Sequence, residues 1–87
     1  VLNPGDRAAR ANLANAFLET GRHDDALTLT SGSADPALAR IEGFLHQEAG
    51  RLEAAAHAYE RALQADPDDL SSWNNLGNVR ARMGDVD

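Results

Sequence analysis

Gly50 and Gly84 stand 34 residues apart, and each closes a run of residues with related spacing. In one run Pro36 is followed by Gly43 and Gly50; in the next, Trp73, Leu76 and Gly77 lead to Gly84. Between them lie Ala55, Tyr59, Ala62 and Pro67. Small side chains at such intervals let two antiparallel helices approach closely, while larger residues fill the spaces between neighbouring pairs. A period of this length marks a chain of stacked repeat units, because one unit alone cannot bury its apolar face.

The residues carry a more specific likeness. Trp73-x-x-Leu76-Gly77, six residues after Pro67, with Ala55-x-x-x-Tyr59 and Ala62 upstream, resembles the tetratricopeptide repeat pattern W-x₂-L-G-x₂-Y…A-x₃-F…P. With Pro36 as first position, Gly43, Gly50, Ala55, Tyr59, Ala62 and Pro67 take places 8, 15, 20, 24, 27 and 32. The following repeat begins at Leu70 and departs from the pattern at Arg80, where an aromatic is usual. Working backward, Gly21 takes the turn role of Gly50, so Leu13, Ala14, Phe17 and Ala26 fall at places 7, 8, 11 and 20. The expected fold is an all-α solenoid of antiparallel helix pairs, with helices over about 7–20, 23–31, 36–49, 52–65 and 70–83.

The expected division is residues 1–6 as the tail of a preceding repeat, 7–35 as a shortened repeat, 36–69 as a complete one and 70–87 as the first helix of another. Gly21 and Gly50 are only 29 residues apart. The five missing residues fall in the second helix of the first repeat, which should decay near Thr30, since Ser31-Gly32-Ser33 is loop chemistry. Asp35 should then cap a new helix, with Pro36 in its first turn. Apolar stripes are expected at Leu13, Ala16 and Phe17 in the first helix, and at Leu52, Ala55, Ala56, Tyr59, Ala62 and Leu63 in the fourth. Without an initial Met, and with about two and a half repeats, the 87 residues read as a fragment of a longer bacterial protein.

Composition removes several function classes. The net charge of −6 argues against a nucleic-acid footprint, which would be basic on one face. All eight basic residues are Arg. There is no cysteine, which excludes disulfides, zinc ribbons and thiol catalysis and points to a reducing, cytoplasmic setting. No apolar run is long enough to span a membrane, and no secretory signal pattern opens the chain. His23, His46 and His57 lie on different helices without the i, i+4 pairing of a metal site; His46 should replace a core aromatic and His57 should be solvated. No metal, cofactor or catalytic residue is expected. The acidic clusters Asp24-Asp25, Asp66-Asp68-Asp69 and Asp85-Asp87 should cap helices and favour their dipoles. The hydroxyl run Thr28, Thr30, Ser31 and Ser33 reads as a linker.

The resemblance implies a concave groove lined by the first helix of each repeat. Carried onto this chain, it selects Asn12, Asn15, Leu18 and Glu19 from the first repeat, and Arg40, Ile41, Phe44, Gln47 and Glu48 from the second. From the third it selects Ser71, Asn74, Asn75, Asn78 and Arg82; Ala8, Ala11, Ala37 and Ala81 complete the wall. Asn offers a donor and an acceptor together and can pair with a peptide backbone. Asn12 and Asn75, at the same place in their repeats, are similar to the asparagine ladder of O-linked N-acetylglucosamine transferases, although Ile41 interrupts it. The alternative use of Asn15 and Asn78 is hydrogen bonding between repeats.

Hydrogen bonds of about 0.5–1.5 kcal/mol each fall short of the roughly 8 kcal/mol that micromolar binding needs. Leu18, Ile41 and Phe44 are the apolar candidates for the remainder, with Phe44 either the anchor or a core residue. Chaperone-binding members of the family clamp a carboxylate with cations; here the matching residues are Ala11, Asn15, Ile41, Ser71 and Asn75, so that clamp is missing. The implied role is a protein- or peptide-binding scaffold and not an enzyme. The rivals are a substrate-recruiting module of a larger bacterial sulfotransferase-like or glycosyltransferase-like enzyme, and a purely architectural segment. Open repeat ends near Met83 and Val86 should favour self-association or stacking on the parent chain.

Overall fold

The structure, a computed structural model, describes residues 7–84. It consists of five helices, α1 (Arg7–Glu19), α2 (His23–Thr30), α3 (Pro36–Glu48), α4 (Leu52–Ala65) and α5 (Leu70–Arg82), with no strand among the described residues. Each helix packs on the next, and α3 also touches α1 and α5. The first helices of successive hairpins therefore form one layer. The described body measures 48 × 26 × 17 Å, the elongated shape of stacked hairpins. The proposed residues 1–6 and 85–87, including Asp85, Val86 and Asp87, lie outside the described part.

Local chemistry sets the helix ends. Asp35 Oδ1 accepts from the Ala37 N–H at 3.0 Å, with Pro36 in the first turn of α3. At its other end the Gly50 N–H bonds to Gln47 O and the Arg51 N–H to His46 O, the paired pattern of a Schellman cap. Gly50 supplies the required left-handed backbone, with φ of 81°. The same bonds recur at Gly21 after α1. Asp69 caps α5 through the Ser72 N–H. The Asp24-Asp25 cluster behaves differently from expectation, since α2 has no side-chain N-cap, and Asp85-Asp87 lies outside the described residues. Asp25 instead pairs with Arg22 at 2.7 Å, and Asp66 Oδ1 accepts from the Asp68 N–H. Asp24 and Asp25 still stand in the first turn of α2, where their charge favours the dipole.

Two apolar clusters form the core. Ala14, Ala26, Leu38, Ile41 and Leu45 join α1, α2 and α3, with Phe17, Leu18 and Leu27 against them. Ala55, Ala56, Tyr59, Leu63, Leu76 and Val79 join α4 to α5. The stripe expected on α4 is therefore buried except at Leu52, which is half-buried against the cluster, while that on α1 is turned. Ala14 faces the core, but Leu13 is 42% exposed and Ala16 is exposed. Gly43 shows why its place must be small: a Cβ there would stand 2.7 Å from the Tyr59 ring. The buried Tyr59 hydroxyl donates to Gln47 Oε1 at 2.9 Å. Burial, with a smaller push from Glu48, raises its pKa to about 12.

Polar groups fill the region where α2 stops short. α2 has 8 residues against 14 in α4, and its last residue, Thr30, is fully buried. Glu42 reaches the loop that follows: its Oε1 accepts from the Gly32 N–H at 3.0 Å and from Arg61 Nη2. Its Oε2 lies 3.2 Å from His46 Nε2, and His46 Nδ1 is 3.0 Å from Arg51 Nε. Arg Nε can only donate, so His46 Nδ1 accepts and Nε2 carries the proton towards Glu42. His46 is thus a half-buried hydrogen-bonded link more than a substitute for a core aromatic. A buried acid here occupies the register that Leu76 holds in the next repeat.

Candidate functional site

The layer formed by α1, α3 and α5 carries every residue that the resemblance assigns to a partner-binding face. Their surroundings differ. On α1, Asn12, Asn15 and Glu19 are exposed, and Leu18 is half-buried against the first core cluster. On α3, Phe44 is 40% exposed; Glu48 is exposed and Arg40 and Gln47 are half-buried. On α5, Ser71, Asn74, Asn78 and Arg82 are exposed and Asn75 is half-buried. Ala8 and Ala81 are exposed, with Ala11 and Ala37 partly covered.

Ile41 is the correction. It is 8% exposed and belongs to the core cluster shared by α1, α2 and α3. The central helix is covered on several sides and buries six residues, against three on α5. A position that stays open at the edge of the stack is enclosed in its middle, and Ile41 presents little surface to a ligand. Among the apolar candidates, Phe44 offers the accessible large side chain.

Two polar residues of this face already have partners. Arg40 Nη1 donates to Asp69 Oδ2 at 2.7 Å, and the same oxygen accepts from the Ser72 hydroxyl at 2.7 Å. Burial works to raise the Asp69 pKa, but the bonds from Ser72 and Arg40 outweigh it and hold the carboxyl below its ordinary value. The bridge ties α3 to the start of α5 and neutralises the cation near the centre of the face. Gln47 is held by Tyr59.

The asparagines are unspent. Among the described residues, none of the side chains of Asn12, Asn15, Asn74, Asn75 and Asn78 takes a hydrogen bond within the protein. Their alternative use as bonds between repeats is therefore not realised. Each sits in a helix, where Asn is less favourable than Ala by up to about 0.7 kcal/mol. Five such residues stand on two helices and contribute no side-chain bond to the fold.

Elsewhere the surface offers little chemistry. Among the described residues no three His, Cys, Asp or Glu side chains could hold a metal ion, and no helix is long and apolar enough to cross a membrane. His57 is exposed. A cleft of about 330 Å³ beside the loop after α2 is lined by Gly32, Ser33, Ala34, Arg61, Gln64 and Ala65. The Glu42 and Arg61 pair was missed by pattern reading, although an acid in the register of Leu76 was a signal for it. The outer side of α5 carries Leu70 at 74% and Trp73 at 51% exposure, with the indole N–H donating to Pro67 O at 2.8 Å.

Comparison with known proteins agrees with this architecture. One tetratricopeptide repeat model matches residues 2–39 and a second TPR repeat model matches residues 46–84. Cellulose synthase operon protein C of Komagataeibacter xylinus is 36% identical over 69 residues, covering 78% of this chain and 5% of that protein. The protein of the same name from Pseudomonas fluorescens (strain SBW25) is 29% identical over 96 aligned residues, covering 95% of this chain and 7% of its own length. That of Komagataeibacter sucrofermentans is 41% identical over 56 residues, covering 63% of this chain and 4% of its own. The chain thus spans about one twentieth of the length of these curated relatives. Five stacked helices, the Gly and Ala spacing and two matching repeat models together show that the chain belongs to the tetratricopeptide repeat family.

Proposed function

We propose that this chain is a scaffold segment which holds a protein or an extended peptide on the face formed by α1, α3 and α5. The observation that carries this reading is the set of five asparagines with no bond inside the protein, placed on either side of the exposed Phe44. Amides of this kind pair with a peptide backbone whatever its sequence, and Phe44 supplies the apolar anchor that hydrogen bonds alone lack. The likeness to cellulose synthase operon protein C favours a place within a much larger protein serving cellulose synthesis. Leu70, Trp73 and Met83 on the outer side of α5 suit stacking against a further repeat or a second copy.

A peptide array tests the reading, comparing the chain with a Phe44→Ala, Asn78→Ala double variant. Hits lost in the variant, with circular dichroism unchanged, support the face. Hits that persist in the variant place recognition elsewhere and refute it. Sedimentation at increasing concentration tests self-association; a Trp73→Glu variant should be more strongly monomeric if copies meet on α5.

A further inference from the structure

The distribution of charge on the same face points to a second kind of ligand. Glu19, Glu48 and Arg82 occupy one repeat position, 29 and 34 residues apart, and form a charged row towards the end of the helix layer. Asn15, Phe44 and Asn78 are related by the same two intervals. Register therefore puts an uncharged set, one aromatic ring and two amides, at one position of three successive first helices. Arg40, the cation on this face nearest the middle of α3, is bound to Asp69 at 2.7 Å. Lys is absent from the chain, and no free cation stands in that uncharged set to recognise a carboxylate or phosphate. The middle of the face is neutral, polar and aromatic.

Such a row suits a neutral polyhydroxylated chain. A sugar ring with its hydroxyls at the rim presents a flat face of C–H groups, and these meet the negative face of an aromatic ring favourably. The hydroxyls at its edges both donate and accept, as an amide does. With helix axes about 8–10 Å apart, the distance from Asn15 to Asn78 calls for several linked sugars, so the ligand is an extended oligomer and not a monosaccharide. We propose that the Asn15–Phe44–Asn78 row binds a neutral, flat-ringed glycan chain, with Phe44 stacking on a sugar face and the flanking amides bonding its hydroxyls. This goes beyond the peptide reading: it shares the face but has a different ligand and can fail alone.

The test is a titration of the isotope-labelled 87-residue chain with cellohexaose, followed by amide and Asn side-chain resonances. An oligogalacturonide of equal length serves as the charged counterpart. Saturable shifts at Phe44 and at the Asn15 and Asn78 side-chain amides are expected at millimolar cellohexaose, with weaker response to the charged sugar. Phe44→Ala should weaken binding about tenfold or more, equivalent to about 1.4 kcal/mol. Asn15→Ala, an exposed change that suits helix formation, gives a smaller loss and guards against misfolding of the Phe44 variant. No shifts with cellohexaose would overturn the proposal while leaving peptide binding on the array untouched. Shifts unaffected by either substitution, or tighter binding of the charged sugar, would overturn it as well.

Discussion

Replacing Glu42 by Ala should destabilise the chain by about 3–4 kcal/mol. The side chain is 8% exposed and takes bonds from the Gly32 N–H, Arg61 and His46. Its removal strands a partly buried backbone donor, at about 1–3 kcal/mol, and ends a bond to a charged group worth about 1.5–3 kcal/mol. Arg61 is 35% exposed and can turn to water, which keeps the total below the upper sum. Urea denaturation followed by far-UV circular dichroism measures the loss. A chain of this length holds roughly 4–13 kcal/mol, and a protective osmolyte keeps a weak variant measurable. The double change Glu42→Leu, Arg61→Leu should recover at least half of the loss, because apolar side chains of similar volume replace buried ion pairs well. Hydrogen exchange at the Gly32 amide should quicken in Glu42→Ala. A double variant no more stable than Glu42→Ala, or an unchanged Gly32 exchange rate, would refute the role given to this carboxylate.

The glycines at the eighth repeat position make a matched pair. Gly43→Ala should cost about 1–3 kcal/mol by overpacking, since its Cβ would meet the Tyr59 ring at 2.7 Å; Gly77→Ala, with nothing within 4 Å, should gain up to about 1 kcal/mol. Thermal melts of the two variants check the opposite signs. The Tyr59 phenol has its folded pKa raised to about 12 from 10.0, so its contribution is complete below pH 10 and is lost as pH rises towards 12. Base titration should show a loss on the order of 2 kcal/mol that Tyr59→Phe removes. Asp69 has its folded pKa lowered, so the stability it supplies is present above the ordinary carboxylate range and is lost as pH falls through the folded value. Asp69→Asn should be less stable at neutral pH by about 1–2 kcal/mol and should flatten the acid limb of an unfolding profile.

The helices were readable because their punctuation is local. Asp35-Pro36, Gly50 and Asp69 act on residues within one turn, and helix limits expected from them agree to within a residue or so. The need for a small residue at Gly43 followed from repeat spacing, whereas the Tyr59 ring that imposes it emerged only from the structure. The network around Glu42 was not readable in the same way, because Gly32 and Arg61 stand 10 and 19 residues away. Nothing in the short-range pattern distinguishes a paired buried acid from a solvated one. Ile41 shows a second limit. Register gives the side of a helix a residue occupies, but whether that side is open depends on how many neighbours crowd the helix. Phe44 and Ile41 are three residues apart on α3, and packing alone makes one accessible and the other part of the core. Counting asparagines could suggest a polar face; only the bonds they do not make show that the fold leaves them free.

The short α2 leaves the loop after it tied to α3 by a hydrogen bond from the Gly32 N–H to Glu42, and this gives the segment an uneven mechanical response. Hydrogen bonds lose their strength within a fraction of an ångström beyond contact distance, whereas apolar contact yields as area is exposed. Pulled along its 48 Å axis, the segment should yield at the Glu42–Gly32 bond before α3 and α4 part, since Gly43 sits closely against the Tyr59 ring between them. A long array carrying such a joint should bend there first, and added salt should soften it little, because the buried Glu42 carboxylate is screened far less than a surface charge.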